Sequence, residues 1–170
     1  MKFHNSFFDR LYNDLYNYIF KKLNKIKIDK TEKIQSVKET NKNLKHSNSL
    51  QTVWLLNLNR LYNLARQTII TEKYHFLDVG CGNGISLIYA IKKLKFSSYQ
   101  GFDFINEYVE ISKENIKSSL KINEIDLKKN NIEIFKFDAC DFLLDKNKSF
   151  FIFIFNSFDD FIMKKFIENN

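Results

Sequence analysis

The start of the chain carries the hydrophobic spacing of an amphipathic helix. From Phe7 to Leu23 the apolar residues recur every three or four positions, which predicts a helix with one buried face that packs on the main domain. The predicted buried face comprises Phe8, Leu11, Leu15 and Ile19, with Tyr12 and Leu23 beside them.

A second helix is predicted after a polar stretch. Residues 25–49 carry only isolated apolar side chains among Lys, Asn, Thr and Ser, too few to bury a core, which indicates a polar linker or a loose helix. Ser49 is a candidate N-cap for a helix that runs to about Thr68. Its apolar stripe comprises Val53, Trp54, Leu58, Leu61 and Leu64.

From Tyr74 the pattern changes to short apolar runs that alternate with amphipathic stretches. This alternation is typical of βαβ units, so the sequence predicts an α/β fold with a parallel sheet and helices on both faces. The predicted strands are 74–79, 98–103, 131–137 and 149–155, and the predicted helices are Ile85–Leu94, Asn106–Leu120 and Asp159–Ile167. The last strand is apolar on both faces, as a strand covered by helices would be. The chain therefore divides into an α-helical N-terminal segment, 1–70, and an α/β domain, 71–170.

Composition narrows the class of protein. With 170 residues, 44% of them hydrophobic, the chain is long enough for one globular domain. No run of about 18 apolar residues is present and the N-terminal apolar pattern contains Asp9 and Asp14, so neither a membrane span nor a signal peptide is expected, and a membrane is not an expected partner. Two cysteines without metal-type spacing, and three scattered histidines, predict no metal site and fit a cytoplasmic protein.

The net charge of +7 is concentrated near the N-terminus. Residues 1–50 hold 11 Lys and Arg against 5 Asp and Glu, which places +6 there. Such an excess fits nucleic acid or anionic surfaces as partners, but the explanation we favour is solvated faces and a compositional bias toward Lys, Asn, Ile and Phe.

A glycine-rich loop follows the first predicted strand. Three of the four glycines, Gly80, Gly82 and Gly84, fall directly after Asp78, in the order DVGCGNG. In a parallel sheet, the carboxyl end of this strand is where nucleotides bind. A dinucleotide fingerprint requires GxGxxG, and its third glycine position is occupied by Ile85, which disfavours an NAD-dependent enzyme.

The spacing Asp78 to Gly84 resembles motif I of the class I S-adenosylmethionine-dependent methyltransferases, which have a Rossmann-like sheet. The resemblance continues through YQGFDFINEYVEISKENIK, similar to the family's second-strand segment, with Ser112 and Asn115 in its helix, and FKFDACDF, similar to the third. FIFIFNSF stands where the family often has an Asn-Pro-Phe type sequence, but here Ser157 replaces the proline. The resemblance implies sheet order 3-2-1-4 for these four strands and S-adenosyl-L-methionine as cofactor.

The resemblance also implies roles for individual residues. Asp78 would face the α-ammonium of the cofactor, the glycine loop with Cys81 would pass along its methionine part, and Asp103 would accept both ribose hydroxyls. The adenine would lie against Phe104 and Ile105, near Asp138 and the backbone of Ala139, and Asn156 would orient the methyl acceptor. Each residue also has an ordinary structural use: Asp78 and Asp138 as turn carboxylates, Asp103 as a helix cap, Asn156 as a turn residue.

The resemblance covers about residues 70–170 and only four of the family's seven strands. Truncation is the explanation we favour, and the alternatives are a completing chain or a second copy paired with the edge strand 149–155. Two functions follow: a methyltransferase, or its cofactor-binding half, acting on an unidentified acceptor, or a non-catalytic Rossmann-like module whose basic N-terminal segment binds nucleic acid or protein.

Overall fold

The computed structural model describes residues 7–27, 46 and 53–170. Its helices and strands follow in chain order: α1 (Phe7–Leu23), α2 (Leu55–Ala65), β1 (His75–Val79), α3 (Ile85–Lys93), β2 (Ser98–Asp103), α4 (Asn106–Leu120), α5 (Glu124–Lys129), β3 (Ile132–Lys136), β4 (Phe150–Ile154) and α6 (Asp160–Asn169). The linker predicted near 25–49 and the Ser49 cap lie almost entirely outside the described residues.

The four strands form one parallel sheet in the order β3-β2-β1-β4. Asp78 of β1 is opposite Gly101 of β2 on one side and Phe153 of β4 on the other. The predicted order 3-2-1-4 is therefore confirmed, and each strand begins and ends within one residue of its predicted position. This register brings the carboxyl ends of all four strands to the same edge.

Hydrophobic side chains cover both faces of the sheet. Phe76 and Phe153 point to one face and belong to a core that includes α3, α4 and α2. Leu77 and Phe102 point to the other face, where Ile162 of α6 packs. The prediction of helices on both faces is confirmed, because alternate residues of each parallel strand are buried in different layers.

The face of α1 that packs on the domain differs from the prediction. The predicted buried face is exposed: Phe8, Leu11, Tyr12, Leu15, Ile19 and Leu23 are 46% to 78% exposed. The buried face instead contains Asn13, Asn17 and Asn24 together with Phe20. The prediction was wrong because Asn17 and Asn24 bond to specific partners outside α1: the Val53 carbonyl accepts from Asn17 Nδ2 at 2.8 Å, and Asn24 accepts from Lys92. Hydrophobic spacing does not register such contacts.

Three smaller differences concern α2, β4 and α5. On α2, Leu55, Leu58 and Tyr62 are buried, whereas the predicted Leu61 and Leu64 are 41% and 44% exposed. β4 is not covered like a central strand, because it ends the described sheet and only Phe153 is fully buried. The short helix α5 was not predicted. It is fixed by a capping box in which the Asn123 side chain accepts from the Asp126 amide.

Candidate functional site

The glycine loop turns the chain sharply from β1 into α3. Gly80, Gly82 and Gly84 all have positive φ, at 72°, 52° and 77°. The loop is held against β2 by its own backbone, since the amides of Gly80 and Cys81 both donate to the Phe102 carbonyl at 2.9 Å. Residues with a Cβ adopt these φ values at a cost, so the three glycines are required by the path of the chain.

Two carboxylates flank this loop at the ends of neighbouring strands. Asp103, the last residue of β2, accepts from the Gly82 amide and from the Ile105 amide, both at 3.0 Å. Asp78 accepts from the Ser86 hydroxyl on the first turn of α3. Asp78 and Asp103 are only 2% and 6% exposed. The predicted placement of two acids around the glycine loop is thus what the chain adopts.

Burial makes both carboxylates weak acids. Desolvation raises the pKa of Asp78 to about 7; the nearby Asp103 charge raises it further, and the Ser86 hydrogen bond opposes the shift. Desolvation also raises the pKa of Asp103 to about 6, against the effect of the backbone amides that donate to it. At neutral pH Asp78 is therefore only partly ionised, and a cationic ligand beside it would favour its charged form.

The loop is packed from two sides by serines. A Cβ on Gly80 would lie 2.3 Å from the Ser157 Cβ, and one on Gly84 would lie 2.3 Å from the Ser112 Oγ. The Ser157 hydroxyl donates to the Val79 carbonyl at 2.9 Å. Ser157, which stands where the family often has proline, thus ties the end of β4 to the loop through a bond that proline could not make.

Asn115 fixes the loop from α4. Its side-chain amide donates to the Asn83 carbonyl at 2.9 Å and to the Lys27 carbonyl at 3.1 Å, and its Oδ1 accepts from the Lys27 amide at 2.8 Å. One buried side chain therefore joins the glycine loop to the residues that follow α1.

A small cavity of about 30 Å³ lies beside Asp78. Its walls include Val53, which precedes α2, and Phe153 and Phe155 at the end of β4. A volume of this size admits one water or a group of similar size, such as an ammonium. The buried carboxylate next to such a space fits the ammonium contact expected of Asp78.

The third strand contributes to the same edge. The Phe137 amide donates to the Asp103 carbonyl at 3.0 Å, which brings the residues after β3 next to Asp103. Asp138 accepts from the Cys140 amide at 2.9 Å, as a turn carboxylate does, and Ala139 is 7% exposed. Phe104 is half-buried at the start of the loop into α4. Ile105 is 1% exposed, so its side chain belongs to the core.

Asn156 lies two residues beyond β4, exposed, with φ of 48°. Its amide is thus at the carboxyl edge, next to the Ser157 contact with the loop.

Cys81 and Cys140 are both buried and free, and burial raises the pKa of both thiols. Neither thiol is suited to react as a thiolate.

Sequence reasoning missed several residues of this edge. Val53, Ser86 and Phe155 contact the region beside Asp78, but only Ser86, two residues after Gly84, could have been noticed from its position in the sequence.

Among residues 7–27, 46 and 53–170, no three His, Cys, Asp or Glu side chains converge as metal ligands. Within the same residues, every helix is too short or too polar to cross a bilayer.

Comparison with known families gives one match. A family model described as a methyltransferase domain matches residues 70–166. No curated protein sequence matches the chain.

Three solved structures are among those that are similar to the chain. A candidate S-adenosyl-L-methionine-dependent methyltransferase of Methanococcus maripaludis is 19% identical over 99% of this chain and 62% of its own, with a TM-score of 0.49. The methyltransferase domain of bacterial CtHen1 is 20% identical over 65% of this chain and 55% of its own, with a TM-score of 0.48. A candidate RNA methyltransferase of Pyrococcus horikoshii is 19% identical over 75% of this chain and 52% of its own, with a TM-score of 0.48. The chain thus spans between 52% and 62% of these proteins.

Proposed function

The chain belongs to the methyltransferase domain family, in its class I, S-adenosylmethionine-dependent, Rossmann-like form. From that premise we propose that it binds S-adenosylmethionine at the carboxyl edge of its sheet and directs the methyl group to an acceptor. The observation that carries the proposal is the pair of buried carboxylates, Asp78 and Asp103, on either side of a loop with three positive-φ glycines.

Each residue of the edge has a role in this proposal. Asp78 holds the α-ammonium, directly or through a water in the adjacent cavity. The backbone of Gly80, Gly82 and Gly84, with Cys81, lies along the methionine part. Asp103 receives the ribose hydroxyls, because a carboxylate has about four acceptor sites and its backbone bonds leave capacity for more.

The adenine lies beside β3 in the proposal. Phe104 contributes an apolar surface to the base, and Asp138 with the backbone of Ala139 recognises its polar edge. Ile105 supports this region from the core and does not touch the base, since it is 1% exposed.

The cofactor supplies a methyl group that is already activated on a sulfonium. The protein's task is therefore to hold an acceptor in line with that methyl and, where needed, to receive its proton. Asn156, exposed at the end of β4, orients the acceptor through its side-chain amide. The acceptor itself stays open among small molecules, proteins and RNA.

Calorimetric titration with S-adenosylmethionine tests the proposal. We expect Asp103→Asn, which keeps the size of the side chain, to weaken binding about tenfold or more, because hydrogen bonds to a charged acceptor contribute about 1.5–3 kcal/mol. Asp141→Asn, at an exposed acid two residues from Ala139, is the matched control and should bind like the original chain. No binding by folded protein, or equal affinity of the Asp103→Asn variant, would contradict the proposal.

We further propose that another strand pairs with β4, from a completing chain or a second copy. β4 ends the described sheet, and the nearby side chains of Ile152 and Phe155 are 38% and 41% exposed.

We also propose a cytoplasmic location, which is supported by two buried thiols that form no disulfide. Nucleic acid, as acceptor or partner, is supported only by the basic N-terminal charge.

A further inference from the structure

The outer surface of α1 is unusually apolar. Six of its side chains lie on one side of the helix and are 46% to 78% exposed; we call them the outward stripe: Leu11, Tyr12, Leu15, Tyr18, Ile19 and Leu23. Helices on a protein surface ordinarily turn such a stripe toward the core. A contiguous apolar patch of this kind indicates a surface that binds something.

The orientation of α1 is fixed by its opposite side. Asn17 donates to the Val53 carbonyl at 2.8 Å and accepts from the Leu55 amide at 3.1 Å, inside the contact with α2. At the other end, Asn24 accepts from Lys92 and from the Ser119 hydroxyl. Rotating the helix to bury the outward stripe would break these bonds and leave the Val53 carbonyl and the Leu55 amide buried without a partner. The stripe is therefore exposed by specific contacts.

The surroundings of the stripe are basic. Residues 7–27 carry Arg10 and four lysines against two aspartates, a net charge of +3. Lys22 lies 5.5 Å from the centre of the Tyr18 ring. A groove of about 470 Å³ continues from Ile19 and Leu23 to Lys92 and Lys93 on α3. Apolar and aromatic side chains thus adjoin ammonium groups at the C-terminal end of the helix.

We propose that α1 lies on an anionic lipid surface, with the outward stripe in the interfacial region and the lysines at the headgroups. Leucine and isoleucine side chains bury their area among acyl chains, tyrosine rings suit the polar boundary, and lysines extend to phosphates. The net charge favours this occupant over a second copy, because two stripes placed face to face would bring like charges together. Each basic residue near an anionic leaflet adds to the electrostatic attraction.

The inference goes beyond the methyl-transfer function and does not depend on it. It revises the expectation that a membrane is not a partner, which considered only helices that span or lead into a bilayer. Lying on the surface requires neither.

Flotation of the full chain with phosphatidylcholine vesicles, with and without about one third phosphatidylserine, tests the proposal. We expect binding to the anionic vesicles only, decreasing as salt is raised. The double variant Leu15→Ser/Ile19→Ser should reduce this binding at least about tenfold, because each side chain loses apolar area that the interface would bury. The matched control, Leu143→Ser/Ile167→Ser, changes two residues that are 68% and 65% exposed elsewhere and should bind like the original chain.

Three results would overturn the proposal. In the first, the original chain fails to float with anionic vesicles. In the second, the stripe variant floats as well as the original chain, which would leave charge alone as the cause of binding. The third is a dimer, detected by sedimentation, that the stripe variant dissociates, since the stripe would then be occupied by a second copy. Circular dichroism of each variant shows that the comparison concerns folded protein.

Discussion

Asp78 illustrates how a single buried carboxyl affects the whole protein. Its folded-state pKa of about 7 lies far above the value near 3.9 of an unfolded chain. Between about pH 4 and 7 the folded protein therefore holds more protons than the unfolded one, and the free energy of unfolding falls as the pH rises. At neutral pH the burial of Asp78 lowers the free energy of unfolding of the cofactor-free protein. Such a destabilising carboxylate is consistent with a role in binding a cation.

This gives a pH-dependent prediction for Asp78→Asn. The free energy of unfolding of the variant, minus that of the original chain, should rise by about 2–4 kcal/mol as the pH goes from 4.5 to 7.5. The reason is that the variant has no carboxyl to deprotonate at this position. Urea unfolding of cofactor-free protein, followed by circular dichroism at both pH values, measures the difference. Parallel pH profiles for the two proteins would show that Asp78 is not an acid of raised pKa.

Ser157 leaves no room for a side chain at Gly80. Gly80→Ala should cost about 2–4 kcal/mol, because the new Cβ would meet Ser157 at 2.3 Å and the residue keeps a φ of 72°. Ser157→Gly removes the side chain that clashes but also the hydroxyl bond to the Val79 carbonyl, so it serves as a second background. In that background Gly80→Ala should lower the free energy of unfolding by only about 1–2 kcal/mol, the cost of alanine at positive φ. An equal cost of Gly80→Ala in both backgrounds, measured by urea unfolding, would show that the contact does not matter.

At the residue scale, sequence reasoning was most successful where spacing along the chain is short. Asp78, the glycines and Asp103 are joined by one strand–loop–helix–strand unit, so their convergence follows from local pattern. Val53 and Ser157 reach the same loop from distant parts of the chain. Their contacts depend on how α2 and the end of β4 pack, which no local pattern encodes.

At the scale of elements, periodicity predicted the existence of α1 but not its orientation. A period of 3.6 residues shows that one side is apolar, and the usual inference is that this side is buried. In α1 the other side is buried, because Asn17 and Asn24 form hydrogen bonds there with residues of other elements. The strands were predicted within one residue because their apolar runs are short and sharply bounded, whereas α5 has too few residues for a period to be seen.

Asn17 provides a test of this account of α1. Asn17→Ala should lower the free energy of unfolding by about 2–3 kcal/mol, because it leaves the Val53 carbonyl and the Leu55 amide buried without their partner. Asn63→Ala, at an exposed position of α2, should change it by less than about 0.5 kcal/mol. Hydrogen exchange adds a local readout: the amides of α1 should exchange faster in the Asn17 variant alone. Similar behaviour of both variants would mean that the asparagine does not anchor the helix.

At the scale of the whole molecule, hydrogen bonds connect the glycine loop with the N-terminal helices. Asn115 bonds both to the glycine loop and to the backbone of Lys27, directly after α1. Val53, held by Asn17, forms a wall of the cavity beside Asp78. The N-terminal helices are therefore part of the structure that surrounds the proposed cofactor site, and not an appendage to the α/β domain.

The most direct test is an experimental structure of the chain with S-adenosylhomocysteine, the product that lacks the methyl group. We expect the ribose hydroxyls within hydrogen-bond distance of Asp103, the α-ammonium next to Asp78, and the adenine between Phe104 and residues 138–139. A ligand bound away from the carboxyl edge of β1 and β2, or one that leaves both carboxylates without contact, would contradict the central claim.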